Sequence, residues 1–150
     1  MLDQISTVRL APASHTGCDA DADAQFAWSE GAATYLAWAV KRVNSANTLR
    51  VFPVDSTSTC TVTPGNAAED RVSGALWDLA DPVGALPFGE SFDQVDAMDT
   101  EVLQVIDHFL DRRRGSPEGT IGMFRSAWAT HGLDLLKLDQ ILTGNGIPTT

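Results

Sequence analysis

The sequence predicts a mainly α-helical, compact domain of about five helices with one small β-hairpin, and three observations support this prediction. Apolar residues recur at helical spacing in five segments separated by turn residues, whereas β-branched alternation is confined to one short stretch. A chain of 150 residues fits one domain and can bury about two-thirds of its unfolded surface. Four Trp and six Phe supply large side chains for a core. We therefore treat 1–150 as a single domain with an irregular leader over 1–22.

The first helix is predicted over "FAWSEGAATYLAWAV", residues 26 to 40, directly after the acidic run "CDADAD". Asp23 is a suitable N-cap, and the acidic residues before it complement the positive end of the helix dipole. The alternative is a calcium loop of the D-x-D-x-D type that ends at Glu30. Ala24 stands where such a loop needs Gly, so the sequence favours helix capping.

Four further helices and the hairpin follow along the chain. The hairpin is predicted over 48–63, with Pro53 on an edge strand. Asn66 and Glu69 have the spacing of a capping box at the start of the second helix, and Thr120 is the expected cap of the fourth. The helices after the first are predicted over 67–80, 100–114, 119–132 and 133–146, and Gly132 is expected to end the fourth.

The net charge of the chain excludes some classes of binding partner, and its two cysteines bear on the cellular compartment. A net charge of -10 and a pI near 4.4 argue against nucleic acid and anionic membranes as partners. No run approaches the roughly 20 apolar residues of a membrane span, and the N-terminus does not look like a signal peptide. Cys18 and Cys60 lie in loop-like segments, where they form either a disulfide or two thiols. The loop setting of both cysteines and the scarcity of lysine, with only two in the chain, favour an extracellular parent protein in which Cys18 and Cys60 form a disulfide.

Glu30 is the residue that most needs an explanation. On a helical wheel it shares a stripe with Phe26, Ala33, Ala37 and Val40, so the sequence predicts a carboxylate on a buried apolar face. Burying an ionised carboxylate costs several kcal/mol unless a cation or several donors compensate it. The partner is either a metal ion or one of four arginines, Arg42, Arg50, Arg71 and Arg125.

The chain contains no complete catalytic constellation. It has no H-E-x-x-H, G-x-S-x-G, P-loop or C-x-x-C motif. His131 is predicted to cap a helix end and His108 to be solvated, while His15 is the one histidine near enough in sequence to fold back towards Glu30. Asp78 either faces a site or, as its position opposite Leu76 and Leu79 favours, is solvated.

One stretch resembles a known family of enzymes. "AWSEGAATYLA", residues 27 to 37, is similar to the helix that carries the third zinc ligand in thermolysin-like, gluzincin-type zinc metallopeptidases. "VSGALWDLAD", residues 72 to 81, resembles the next helix of such proteins, and "FRSAWATHGL" and "LDQILTGNGI" resemble their closing helices. The resemblance covers roughly residues 12 to 147 and implies the C-terminal helical subdomain of a zincin.

The resemblance implies a role for several residues. Glu30 falls on the zinc-ligand position, and Thr34 stands where the family often has an Asp that orients a zinc-binding histidine. His15 and Asp78 are further candidates near the cleft. The H-E-x-x-H helix that supplies two ligands and the general base is absent from this sequence. We therefore expect a metallopeptidase-like domain fragment that neither holds zinc stably nor cleaves peptides alone, although the parent protein would act on peptide or protein substrates.

A second hypothesis describes the chain as a non-catalytic, acidic helical binding module in which Glu30 forms a structural ion pair. The surroundings of Glu30 separate the two hypotheses. A closed ion pair favours the binding module, whereas an open position beside exposed apolar residues favours a missing N-terminal half or self-association.

Overall fold

The computed structural model describes Cys18 and residues 24–44, 65–80, 99–109 and 119–150. Within these residues the chain forms five α-helices, one 3-10 turn and no strand. The helices are α1 (Ala24–Asn44), α2 (Glu69–Asp78), α3 (Asp99–Phe109), α4 (Ile121–Thr130) and α5 (Leu135–Gly144), and the 3-10 turn Gly65–Ala67 precedes α2. The mainly α prediction is confirmed. The predicted hairpin over 48–63 lies outside the described residues.

The ends of α4 and α5 follow the expected capping chemistry. Thr120 is the N-cap of α4, where its hydroxyl accepts a hydrogen bond from the backbone N–H of Met123 at 3.2 Å, which confirms the predicted cap. Gly132 follows α4 with φ +78°, the left-handed conformation that glycine adopts without strain. Asp134 caps α5 by accepting from the backbone N–H groups of Leu136 and Lys137.

The start of α2 differs from the prediction. Its N-cap is Ala68, which has no side chain able to accept a hydrogen bond, and Asn66 is not the cap. The 3-10 turn, closed by a bond from Ala68 N to the carbonyl of Gly65 at 3.1 Å, moves the helix start two residues along the chain. The side-chain oxygen of Asn66 is consequently buried without a hydrogen-bond partner.

The core is centred on aromatic side chains from α1 and α4. The ring of Phe124 lies 5.5 Å from that of Trp28 and 5.7 Å from that of Trp128, centroid to centroid. Trp77 is also buried, whereas Trp38, which we expected in the core, is only half-buried at its edge. Branched aliphatic residues complete the core: Val72, Leu76, Leu79, Val102, Val105, Ile106, Ile121, Leu138, Ile141, Leu142 and Ile147.

The helices pack in a connected series. α1 lies against α2, α2 also contacts α5, and α4 contacts both α3 and α5. None of the described helices is both long and apolar enough to cross a membrane. One side of α1 is packed in the core, whereas Ala33, Ala37, Val40 and Lys41 on its other side are exposed.

Candidate functional site

Glu30 lies in the middle of the first half of α1 and is half-buried. It forms no hydrogen bond or ion pair with any other described residue. Thr34, one helical turn further on, is also half-buried. The spacing of four residues places these two side chains next to each other on the helix surface.

The stripe that contains Glu30 is not buried as predicted. Phe26 is buried, but Ala33, Ala37 and Val40 are exposed, Val40 to 62% of its surface. A helix that is apolar on all sides does not reveal from its sequence which side meets the core. The side that does so carries Ala27, Trp28, Ala32, Tyr35 and Ala39. Glu30 therefore lies at the border of an exposed apolar face.

Gly31 sets the contact between α1 and α2 beside Glu30. A Cβ atom at Gly31 would lie 2.7 Å from the backbone oxygen of Glu69 and 2.8 Å from Cβ of Val72, closer than real Cβ contacts. Only glycine allows the two helices to approach so closely here. The helix that packs closely against α1 at Gly31 is therefore α2.

A hydrogen-bonded cluster fixes the other end of this contact. The Tyr35 hydroxyl donates to Oδ1 of Asp99 at 2.6 Å, and the Arg42 guanidinium bonds to Oδ2 of the same carboxylate. The guanidinium also stacks on Trp77, 4.4 Å from the ring centroid. Burial, followed by the hydrogen bond to Asp99, raises the pKa of Tyr35 well above its usual value. The cluster joins α1, α2 and α3, which fixes the rotation of α1 about its axis.

The Tyr35–Asp99–Arg42 cluster was not predicted from the sequence. Tyr35 and Arg42 are seven residues apart and therefore share a helix face, which is a usable signal. Their acceptor lies 57 residues beyond Arg42, and no sequence pattern indicates that pairing.

Two of the four arginines proposed as partners of Glu30 are engaged elsewhere. Arg42 pairs with Asp99, and Arg125 bonds to both carboxylate oxygens of Asp139 at 2.6 and 2.7 Å. Arg71 forms no ion pair with another described residue, and its Nε is buried without a hydrogen-bond partner. Arg50 lies outside the described residues. Glu30 is thus not in a closed ion pair with any described arginine.

Asp78 is not solvated, contrary to our expectation. It is 2% exposed and accepts a hydrogen bond from Nδ2 of Asn145 at 2.6 Å, and the same amide donates to the carbonyl of Ile141 at 3.1 Å. The bond joins the last residue of α2 to the C-cap of α5. Asp78 therefore has a structural role between two helix ends.

The remaining candidates are placed only in part. His131 is the C-cap of α4, as predicted, and is exposed, whereas His15 and the side chain of His108 lie outside the described residues. Cys18 takes part in a disulfide, and its predicted partner Cys60 also lies outside the described residues. Within the described part of the chain, no group of three or more His, Cys, Asp or Glu side chains is arranged to hold a metal ion.

The chain is similar in sequence to an archaeal protein. It is 30% identical over 112 residues to an uncharacterized protein of Archaeoglobus fulgidus, and the match covers 70% of this chain. The chain spans 31% of the length of that relative. No protein-family model matches the sequence, and no solved structure matches it.

Proposed function

We propose that this chain contributes the glutamate ligand, Glu30, to a zinc centre of the thermolysin-like type, whose other ligands and general base lie on polypeptide outside these 150 residues. The proposal rests on one observation above the others. Glu30 is a half-buried carboxylate that forms no ion pair or hydrogen bond with another described residue, beside exposed apolar side chains. A divalent cation would balance its charge.

The residues of α1 suit this role in part. Glu30 supplies one carboxylate, whereas zinc sites in proteins use three or four protein ligands. The hydroxyl of Thr34, next to Glu30 on the helix, is able to accept the N–H of a zinc-binding histidine but adds no charge. Gly31 and the Tyr35–Asp99–Arg42 cluster hold α1 in one orientation. Zinc, when bound, would supply Lewis-acid chemistry for peptide hydrolysis, and this chain would hold one ligand in place.

The test begins with the nucleotide sequence upstream of Met1. We expect an in-frame H-E-x-x-H there, or in a protein that copurifies with the chain. The longer protein or complex is then purified, and its zinc content and hydrolysis of a casein substrate are measured for the wild type and Glu30→Gln. Loss of most of the zinc and of activity in Glu30→Gln is expected.

Glu101→Gln is the matched control, since Glu101 is also half-buried on a helix and the substitution removes the same charge. Its zinc content should equal that of the wild type. Full zinc content in Glu30→Gln would disprove the ligand assignment. Stoichiometric zinc on the 150-residue chain alone would show that the missing ligands are within it.

A further inference from the structure

Five residues form what we call the outward face of α1: Glu30, Ala33, Ala37, Val40 and Lys41. At about 100° per residue they lie within an arc of about 100°. Ala33, Ala37, Val40 and Lys41 are exposed and Glu30 is half-buried. The face is thus apolar and small in its middle, with a negative charge at one end and a positive charge at the other.

The order of the charges makes this face complementary to itself. Glu30 and Lys41 are separated by 11 positions, about 16 Å along the helix axis. When two copies of α1 lie antiparallel across a two-fold axis, Glu30 is placed opposite the partner's Lys41, and Lys41 opposite the partner's Glu30. The same register brings Ala33 beside the partner's Ala37. A two-fold interface requires such a self-complementary surface.

We propose that the outward face of α1 is a homodimer interface in which two copies of this chain pair through antiparallel α1 helices. Alanine at positions 33 and 37 lets the two axes approach to the short end of the usual 8–10 Å range, roughly 8 Å. The ammonium of Lys41 lies over Trp38, 4.3 Å from the ring centroid, which keeps the charge at the helix surface. The interface needs no metal.

Variants with reversed charges test the proposal. Sedimentation equilibrium in the presence of EDTA, over protein concentrations up to the millimolar range, gives the dissociation constant of the dimer for each variant. Each single variant, Lys41→Glu or Glu30→Lys, replaces two attractive contacts with two repulsive ones and should weaken the dimer about tenfold. The double variant Glu30→Lys with Lys41→Glu restores both attractions in the opposite sense. Its dissociation constant should return to within about threefold of the wild type.

A change in net charge alone would not weaken the dimer in both single variants and restore it in the double variant. Lys41→Glu changes the net charge from -10 to -12 and Glu30→Lys from -10 to -8, yet both should weaken association. Lys137→Glu, an exposed site on α5, also gives -12 and should leave the dissociation constant unchanged. A monomeric wild type at every concentration, or a double variant as weak as the single ones, would overturn the proposal.

Ala37→Glu provides a second measurement at the middle of the face. A charge placed there would face the partner's Ala33 in the apolar middle of the interface and should abolish the dimer, with the helical circular dichroism unchanged because the site is exposed. A folded Ala37→Glu variant that dimerises like the wild type would also overturn the proposal. Because EDTA is present throughout, this result is independent of whether Glu30 binds zinc in a larger protein.

Discussion

Replacement of Gly31 by alanine should destabilise the domain, whereas the same replacement at Gly122 should stabilise it. Gly31 lies in the interior of α1 and Gly122 is the second residue of α4, so both substitutions gain helix propensity, by about 0.5–1 kcal/mol at Gly31 and by less at Gly122. They differ in the space around the new methyl group. At Gly122 the nearest heavy atom is Oγ1 of Thr120 at 3.8 Å, which is ordinary van der Waals contact.

At Gly31 the methyl group would meet atoms that cannot move independently. The backbone oxygen of Glu69 at 2.7 Å and Cβ of Val72 at 2.8 Å both belong to the first turn of α2, so α2 must move away from α1. Overpacking of a core typically costs about 1–3 kcal/mol, and a contact with backbone belongs in the upper half of that range. After the propensity gain, Gly31→Ala should lose about 1–2 kcal/mol of unfolding free energy.

Urea unfolding followed by circular dichroism measures both variants against the wild type. The two should differ by about 1–3 kcal/mol, with Gly31→Ala below the wild type and Gly122→Ala above it. In thermal unfolding each kcal/mol corresponds to about 2–4 °C for a chain of this size. If Gly31→Ala is as stable as Gly122→Ala, the close approach of α1 and α2 that fixes the direction of Glu30 does not exist.

Three further predictions concern single hydrogen bonds. Tyr35 is the sole tyrosine of the chain, and burial and the hydrogen bond to Asp99 raise its pKa. The neutral phenol therefore stabilises the fold fully below pH ~10, and this stabilisation is lost at higher pH. Tyrosinate absorbance should appear only together with loss of helical circular dichroism, and ionisation near pH ~10 with the helices intact would contradict this. Asn145→Ala should lower the free energy of unfolding, measured in urea, by about 1–3 kcal/mol. Asn145→Asp should lower it more at neutral than at acid pH, because the new carboxylate repels that of Asp78 when both are ionised. An equal loss of stability at both pH values would refute this repulsion. Thr120→Ala should cost about 1 kcal/mol through loss of the α4 cap, unlike Thr143→Ala at an exposed position of α5.

The helices and both ends of α4 were predictable because local chemistry determines them. Thr120 is followed by an apolar periodic segment, and Gly132 follows its end, so the boundaries of α4 can be read from the sequence. The start of α2 could not be read in the same way. The spacing of Asn66 and Glu69 is that of a capping box, but the 3-10 turn closed by Gly65 takes Asn66 away from the cap position.

The candidate site was predictable in residue type and not in orientation. The sequence identifies Glu30 as an unusual carboxylate on an apolar helix. It does not reveal that the packed side of α1 is centred on Tyr35, because the partner of Tyr35 is Asp99, 64 residues away. Asp78 was misplaced for the same reason: its donor, Asn145, is 67 residues distant. Long-range polar pairs of this kind leave no periodic trace in a sequence.

The zinc and dimer proposals use the same face of α1, and this makes them separable in one comparison. In a longer protein that supplies the remaining zinc ligands, the helix that carries them would cover Ala33 and Ala37. The antiparallel pairing would then be sterically blocked, and Lys41→Glu should not change the oligomeric state of the longer protein. In the 150-residue chain the same substitution should weaken the dimer about tenfold. If Lys41→Glu weakens association equally in both proteins, the face remains open in the longer one, and the polypeptide that supplies the other zinc ligands does not pack against α1 beside Glu30.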